Sequence, residues 1–188
     1  MSKDKKEHID KVTVKAAPRQ DIIHTLRTAQ QHQVTLSMIA DQKANIIIGF
    51  ALIFFSVIQS QMFSAEFSEQ IFFIPLSALS LTVFFSFFLA ILVVLPRIQG
   101  KGEFKKPEDM PNPLFFGFFA TFSEKEYTDY MVNTLTNNNA AREMMIKDMY
   151  QIGSVLKKKY ELLRMSYMAL AIGALLSVVV LILKLLFV

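Results

Sequence analysis

The chain contains no cysteine, so a disulfide framework, a thiolate metal site and a cysteine nucleophile are all excluded. It has no tryptophan and only six glycines. Those glycines form neither a phosphate-cradling loop nor a dinucleotide fingerprint. There is no His-Glu-x-x-His and no paired His-Asp metal signature, and no serine sits in a nucleophile context. The three histidines, His8, His24 and His32, all lie near the N-terminus. His24 and His32 are two helical turns apart and can share a helix face, but no third ligand stands close by. The long apolar runs carry no aspartate or glutamate, which argues against a carboxylate proton relay or a transported-cation site. No catalytic residue, metal site or cofactor site is therefore expected.

What is present is apolar. Of 188 residues, 53% are hydrophobic and 18 are phenylalanine, with a mean hydropathy of +0.37. Three segments approach the roughly 20 residues a membrane-crossing helix needs: 44–63, 71–95 and 165–187. None reads as a cleaved signal, because the first lies behind a long polar stretch. The net charge of +4 would suggest a nucleic-acid partner in a soluble protein. Here its distribution points to a bilayer surface and away from nucleic acid. Of the 20 lysines and arginines, all but Lys184 precede the first span or lie between the second and third. The link SAEFSEQ between the first and second spans has none. The positive-inside rule then places the N-terminus and the long middle loop in the cytosol and the C-terminus outside.

Residues 1–17 are charged and weakly periodic, a flexible basic N-terminus. From Pro18 the apolar residues Ile22, Ile23, Leu26, Ala29, Leu36, Ile39 and Ala40 recur at helical spacing, and nothing breaks the pattern before the first span. A cytosolic helix over 18–43 should thus run directly into the membrane. After the second span, residues 96–122 form a loop rich in glycine and proline that holds LFFGFFATF (114–122). This apolar piece is too short to span; it is an interfacial or re-entrant segment, or a plug over the cytosolic helices. Ser123-Glu124-Lys125-Glu126 is a capping box that starts a helix reaching about Thr136. One of Asn137 to Asn139 caps the next helix, which enters the third span without interruption. Residues 123–164 are thus cytosolic helices. The fold class is all-α: an integral membrane protein with three transmembrane helices continuous with a cytosolic helical bundle.

Candidate functional residues gather at the cytosolic mouth. Asp41 and Lys43 precede the first span, and Asp148, Tyr150, Lys157, Lys158, Lys159, Tyr160, Arg164 and Tyr167 precede or begin the third. Arg27 and Arg142 stand further out. Basic clusters pair with phosphate and tyrosine faces stack on bases. KKKYELLR also serves as an ordinary basic anchor on anionic lipid. Asp41 and Lys43 point to different sides of a helix and cannot pair with each other. Lys43 fits an interface anchor. Asp41 does not, and it should meet a basic residue among Lys157 to Arg164 on the neighbouring helix. Ala169, Gly173 and Ser177 make a small-residue line on the third span, and Ser86 and Ala90 a shorter one on the second, implying close helix contacts within or between protomers.

Three separated stretches carry a family resemblance. TLRTAQQHQVTLSMIADQKANIIIGFALI holds Arg27, Leu36, Ala40, Asp41, Lys43 and Ala44. NPLFFGFFATFSEKEY follows, and then KDMYQIGSVLKKKYELLRMSY with Asp148, Tyr150, Lys159, Tyr160, Leu163, Arg164 and Tyr167. From about Arg19 onward the chain resembles the Pycsar effectors, bacterial membrane proteins of the PycTM type. Some members carry a fused HD phosphohydrolase domain, which these residues lack, and no stretch reads as a β-barrel cyclic-nucleotide module. The resemblance implies an inner-membrane effector of antiphage defence. Its partner cyclase would make cyclic UMP (cUMP) or cyclic CMP (cCMP), and the effector would impair the membrane in abortive infection. Apart from the resemblance, a homo-oligomer in the lipid bilayer is expected. Under the effector reading Arg27, Asp41, Lys43, Arg142, Asp148, Lys159, Tyr160 and Arg164 are ligand-binding or gating candidates. A membrane-anchored helical scaffold and a ligand-independent channel are the alternatives.

Overall fold

The computed structural model describes residues 19–62, 73–96 and 104–187. Five helices follow in order: α1 (Arg19–Met62), α2 (Phe73–Val94), α3 (Phe116–Phe119), α4 (Glu124–Leu135) and α5 (Asn138–Phe187), with a 3₁₀ turn at Pro107–Asp109 before α3. There is no strand among the described residues. The N-terminal stretch 1–17, Pro18, the link between the first two spans, and Gly100 and Gly102 of the middle loop lie outside them.

Both long helices owe their continuity to the absence of a breaker. α1 is 44 residues without proline, and α5 is 50 residues with none. Each begins polar and ends apolar. Together with α2 they are three helices long and apolar enough to cross a membrane. Residues on their outer faces, such as Ile53, Phe84, Phe85, Leu175 and Leu186, are exposed, as a lipid-facing surface requires. The expected capping box starts α4: the Ser123 hydroxyl accepts from the backbone N–H of Glu126, and the Glu126 carboxylate accepts from the backbone N–H of Ser123. The break ahead of α5 is capped by Asn137, whose Oδ1 accepts from the backbone N–H of Asn139.

The registers follow from the contacts. α1 and α5 run parallel, because residues separated by 118 in sequence meet at two levels, Gln30 with Asp148 and Asp41 with Lys159. α2 runs antiparallel to α5, since the separation grows from 80 at Ser86–Ser166 to 102 at Pro75–Ser177. This antiparallel seam is the tightest in the molecule. Ser86 and Ser166 are fully buried and donate to each other's carbonyls at 2.9 and 2.8 Å. Ser177 donates to the Pro75 carbonyl at 3.0 Å. A Cβ on Gly173 would stand 1.8 Å from Thr82 Oγ1, so only glycine permits this approach. Gly173 and Ser177 of the small-residue line thus face α2, and Ala169 is half-buried beside them.

α1 lies on this pair through small residues of its own. Ala40, Ala44 and Ala51 are fully buried, and Ala40, Ala44 and Ile47 form one core with Ala90, Val93 and Leu163. Toward the far end of the spans Phe55 meets Phe84 and Phe87 edge-on.

The segment 114–122 folds back on the polar half of the bundle. Phe118 is buried and packs edge-on against Phe104 and Phe115, and Phe119 stacks on Tyr127 of α4. The Tyr127 hydroxyl donates to the Pro113 carbonyl at 3.0 Å, and burial, with the Tyr130 charge second, pushes its pKa up. The adjoining Asn112 docks at Asp148, about 25 Å along α5 from the start of the third apolar stretch. Of the readings open for 114–122, this packing fits a cover over the polar helices.

Candidate sensor and gating site

Asp41 finds its basic partner in Lys159. The Lys159 ammonium lies 2.7 and 2.8 Å from the two carboxylate oxygens and donates to Ser37 Oγ at 3.1 Å. The Lys159 side chain is only 15% exposed, that of Asp41 35%. One turn away, the Tyr160 hydroxyl donates to the Leu36 carbonyl at 3.3 Å. Lysine spends its three donors here within a small, half-dry space, so the pair is worth more than a surface ion pair. This first clamp sits where α1 and α5 become apolar, directly beneath the alanine core. Lys43, two residues on, is exposed and forms no ion pair among the described residues.

A second clamp lies three turns further out on the same helix pair. Asp148 is buried at 7% exposure and meets no cation among the described residues; amides hold it instead. Asn112 Nδ2 donates to Oδ1 at 2.8 Å, and Gln30 Nε2 donates to Oδ2. The second Asn112 N–H goes to Gln151 Oε1 at 2.7 Å, and Asn112 Oδ1 accepts from the Leu114 backbone N–H at 2.9 Å. One carboxylate thus ties together α1, α5 and the loop that covers them. Such a network is stable only while every member is satisfied.

The spacing of the clamps is a consequence of helix geometry. Residues 30 and 41, and likewise 148 and 159, are eleven apart, three turns and about 16 Å, so both clamps fall on one stripe of each helix. Beside that stripe a groove of about 490 Å³ opens between α1 and α5, with Gln33 and Leu26 on one wall and Tyr150 and Lys157 on the other.

The remaining candidates stand apart from the clamps. Arg27 is exposed. Arg142 is half-buried, and its Nε has no hydrogen-bond partner among the described residues. Arg164 is exposed in a shallow groove shared with Lys158, Glu161 and Met168. On α5 the exposed Lys147–Glu143 pair, 2.8 Å apart, raises the lysine pKa and lowers that of the glutamate. His24 and His32 are both exposed.

Residues 24–185 match the Pycsar effector protein domain. The chain belongs to the Pycsar effector family. No curated protein and no solved structure matches it. The match takes in both clamps and nearly all of the three candidate spans, so the family's domain here comprises the polar ends of the long helices together with their apolar stretches. Membership gives the protein a role in cyclic-nucleotide-linked antiphage defence as a membrane-associated effector, in a family not known as an enzyme class.

Several residues of this Pycsar effector carry geometry that sequence reasoning passed over. Gln30, Ser37, Asn112, Gln151 and Ser166 are uncharged, and an isolated amide or hydroxyl gives no signal until its partner is known. Asn112 was the most accessible of them, since an Asn-Pro ahead of an aromatic run marks a turn whose amide is free to bond elsewhere.

Proposed function

We propose that this Pycsar effector senses a cyclic pyrimidine nucleotide, cUMP or cCMP, at the polar end of α1 and α5 and responds by impairing the bacterial inner membrane, so that infection is aborted. The observation carrying this reading is continuity. The helices that hold the two clamps are the same unbroken helices that enter the apolar region. A change in their packing at the polar end reaches the spans with no hinge to absorb it. The charge distribution supports a cytosolic polar end and an external C-terminus.

For the signal to act, the ligand must bind the active packing more tightly than the resting one. Asp41, Lys159, Tyr160 and Asp148 are the gating residues in this scheme. Arg27, Lys43, Arg142 and Arg164 supply positive charge that draws an anion to the same end. Apolar side chains such as Val34, Met38, Val132 and Leu135 stay exposed on the polar half, which favours a homo-oligomer as the active form. The protein acts by rearrangement and carries out no chemistry of its own.

The test is dye entry into cells expressing the chain with and without a cyclic-pyrimidine cyclase. Entry that requires the cyclase is expected. Entry in its absence would point to a ligand-independent channel, and no entry under either condition to a scaffold.

A further inference from the structure

The groove between α1 and α5 holds an unusual set of unmet interactions. Its walls are apolar, with Leu26 on one side and Met149 on the other. The ring of Tyr150 forms one face, yet the residue is 79% exposed and its hydroxyl makes no hydrogen bond among the described residues. Lys157 stands at the mouth, its side chain 78% exposed, with one loose contact to Glu161 at 3.8 Å. On the opposite wall the Gln33 Oε1 is buried and has no hydrogen-bond partner among the described residues. A buried acceptor left unmet is costly, so this oxygen favours any arrangement that brings it an N–H.

We propose that this groove is the seat of the nucleotide, with the pyrimidine ring on Tyr150, a ring N–H or exocyclic amine donating to Gln33 Oε1, and the cyclic phosphate at Lys157. The proposal rests on the reading that a cyclic pyrimidine nucleotide is the signal, and adds where it binds and how binding is felt. The chemistry of the three groups selects the ligand class. A flat ring meets an aromatic face, a donor meets an orphaned acceptor, and a single negative charge meets a cation held only loosely by Glu161 at 3.8 Å. Uracil N3–H and the cytosine amine are both donors. At about 490 Å³ the groove is within the usual range for small-molecule sites.

Two other grooves among the described residues fit less well. The one of about 610 Å³ beside Pro111 and Phe118 has Lys147 as its cation, and that ammonium is already held 2.8 Å from Glu143. The one of about 580 Å³ around Arg164 and Met168 is lined by α5 alone at the edge of the apolar stretch, a position suited to lipid headgroups.

Location supplies the coupling. Tyr150 follows Asp148 by two residues, Lys157 precedes Lys159 by two, and Gln33 lies between Gln30 and Asp41. The groove therefore runs alongside the clamps on the same helix pair, reaching past the Asp148 clamp to Leu26 and Ile146. The Gln33 oxygen is closed off in the resting packing, so a ligand satisfies it only by easing α1 away from α5. This gives the ligand its preference for the rearranged state.

The test is calorimetric titration of the full-length chain in nanodiscs with cUMP and, separately, cCMP. For the nucleotide that binds wild type, Tyr150→Ala and Lys157→Gln should each weaken binding roughly five- to a hundredfold, the range expected for losing a stacking partner or a charge-assisted contact. Tyr150→Phe and Lys157→Arg should keep it within about twofold of wild type, since ring and charge are retained. All four changes are at exposed positions, so folding is not at issue. Binding by wild type that Tyr150→Ala and Lys157→Gln leave unchanged would overturn the seat while sparing the signal. No heat from wild type with either nucleotide would overturn both.

Discussion

Asp41 and Lys43 show how differently two neighbouring charges can be used. Both stand at the start of an apolar run, and hydropathy treats them alike. Among the described residues only one has a partner: Asp41 holds the largely buried Lys159, while Lys43 is exposed. Removing Asp41 leaves an ammonium with one hydroxyl where it had two carboxylate oxygens. Asp41→Ala should therefore cost about 1–3 kcal/mol, against a change within about 0.5 kcal/mol for Lys43→Ala. Thermal unfolding in detergent checks the difference, and a double-mutant cycle with Lys159→Ala should return a coupling energy above about 0.5 kcal/mol. Equal effects of the two single changes would make Asp41 a plain interface residue. The pairing was legible from sequence because an acidic residue at a membrane border has no role in orientation and so needs a local reason. The Asp148 clamp was only half legible. The carboxylate stood out, but its amide donors come from a distant helix and from a loop whose path no periodicity reveals.

At the scale of elements, the helices follow from local rules and the strap does not. α4 begins where its capping box places it, and the ionised Glu126 is part of that cap. The Ser123 hydroxyl first and its backbone N–H second hold the Glu126 carboxyl below the usual carboxylate range. A depressed folded pKa means the cap's contribution is present above the ordinary value and is lost as pH falls through the lowered one. The Tm difference between wild type and Glu126→Gln should thus be steady at neutral pH and shrink as the pH falls below the ordinary carboxylate range and through the lowered pKa. A difference that persists below the lowered pKa would mean the carboxylate charge is irrelevant. The strap over 104–122 depends instead on Asn112, buried at 2% exposure and bonded to Asp148, Gln151 and Leu114. Asn112→Ala should free this loop at a cost of about 1–3 kcal/mol and leave a buried carboxylate one donor short. Limited proteolysis should then cut within 104–122 sooner than in wild type, while α2 and α5, joined by Ser86–Ser166, remain intact. Unchanged cleavage would show that the aromatic contacts hold the strap without Asn112.

For the molecule as a whole, one tight pair and one looser neighbour define the mechanics. α2 and α5 are joined by reciprocal serine bonds and a glycine contact inside the apolar region. α1 rests on them through alanines and is fastened at its polar end by two clamps. The three spans and their continuity with polar helices were legible, because length, hydropathy and the lack of a breaker are properties of a segment alone. That α1 runs parallel to α5 also follows from the topology. Which faces meet, and that a groove lies beside the clamps, depends on packing that no single segment encodes. The central claim is that a nucleotide acting on the polar end of this helix pair changes the membrane. It is tested most directly by dye release from liposomes carrying the purified full-length chain, on addition of cUMP or cCMP. Release that appears only with one of these nucleotides, and that Asp41→Ala makes nucleotide-independent or abolishes, is the expected result. Liposomes that stay sealed with both nucleotides, or leak equally without them, would contradict it.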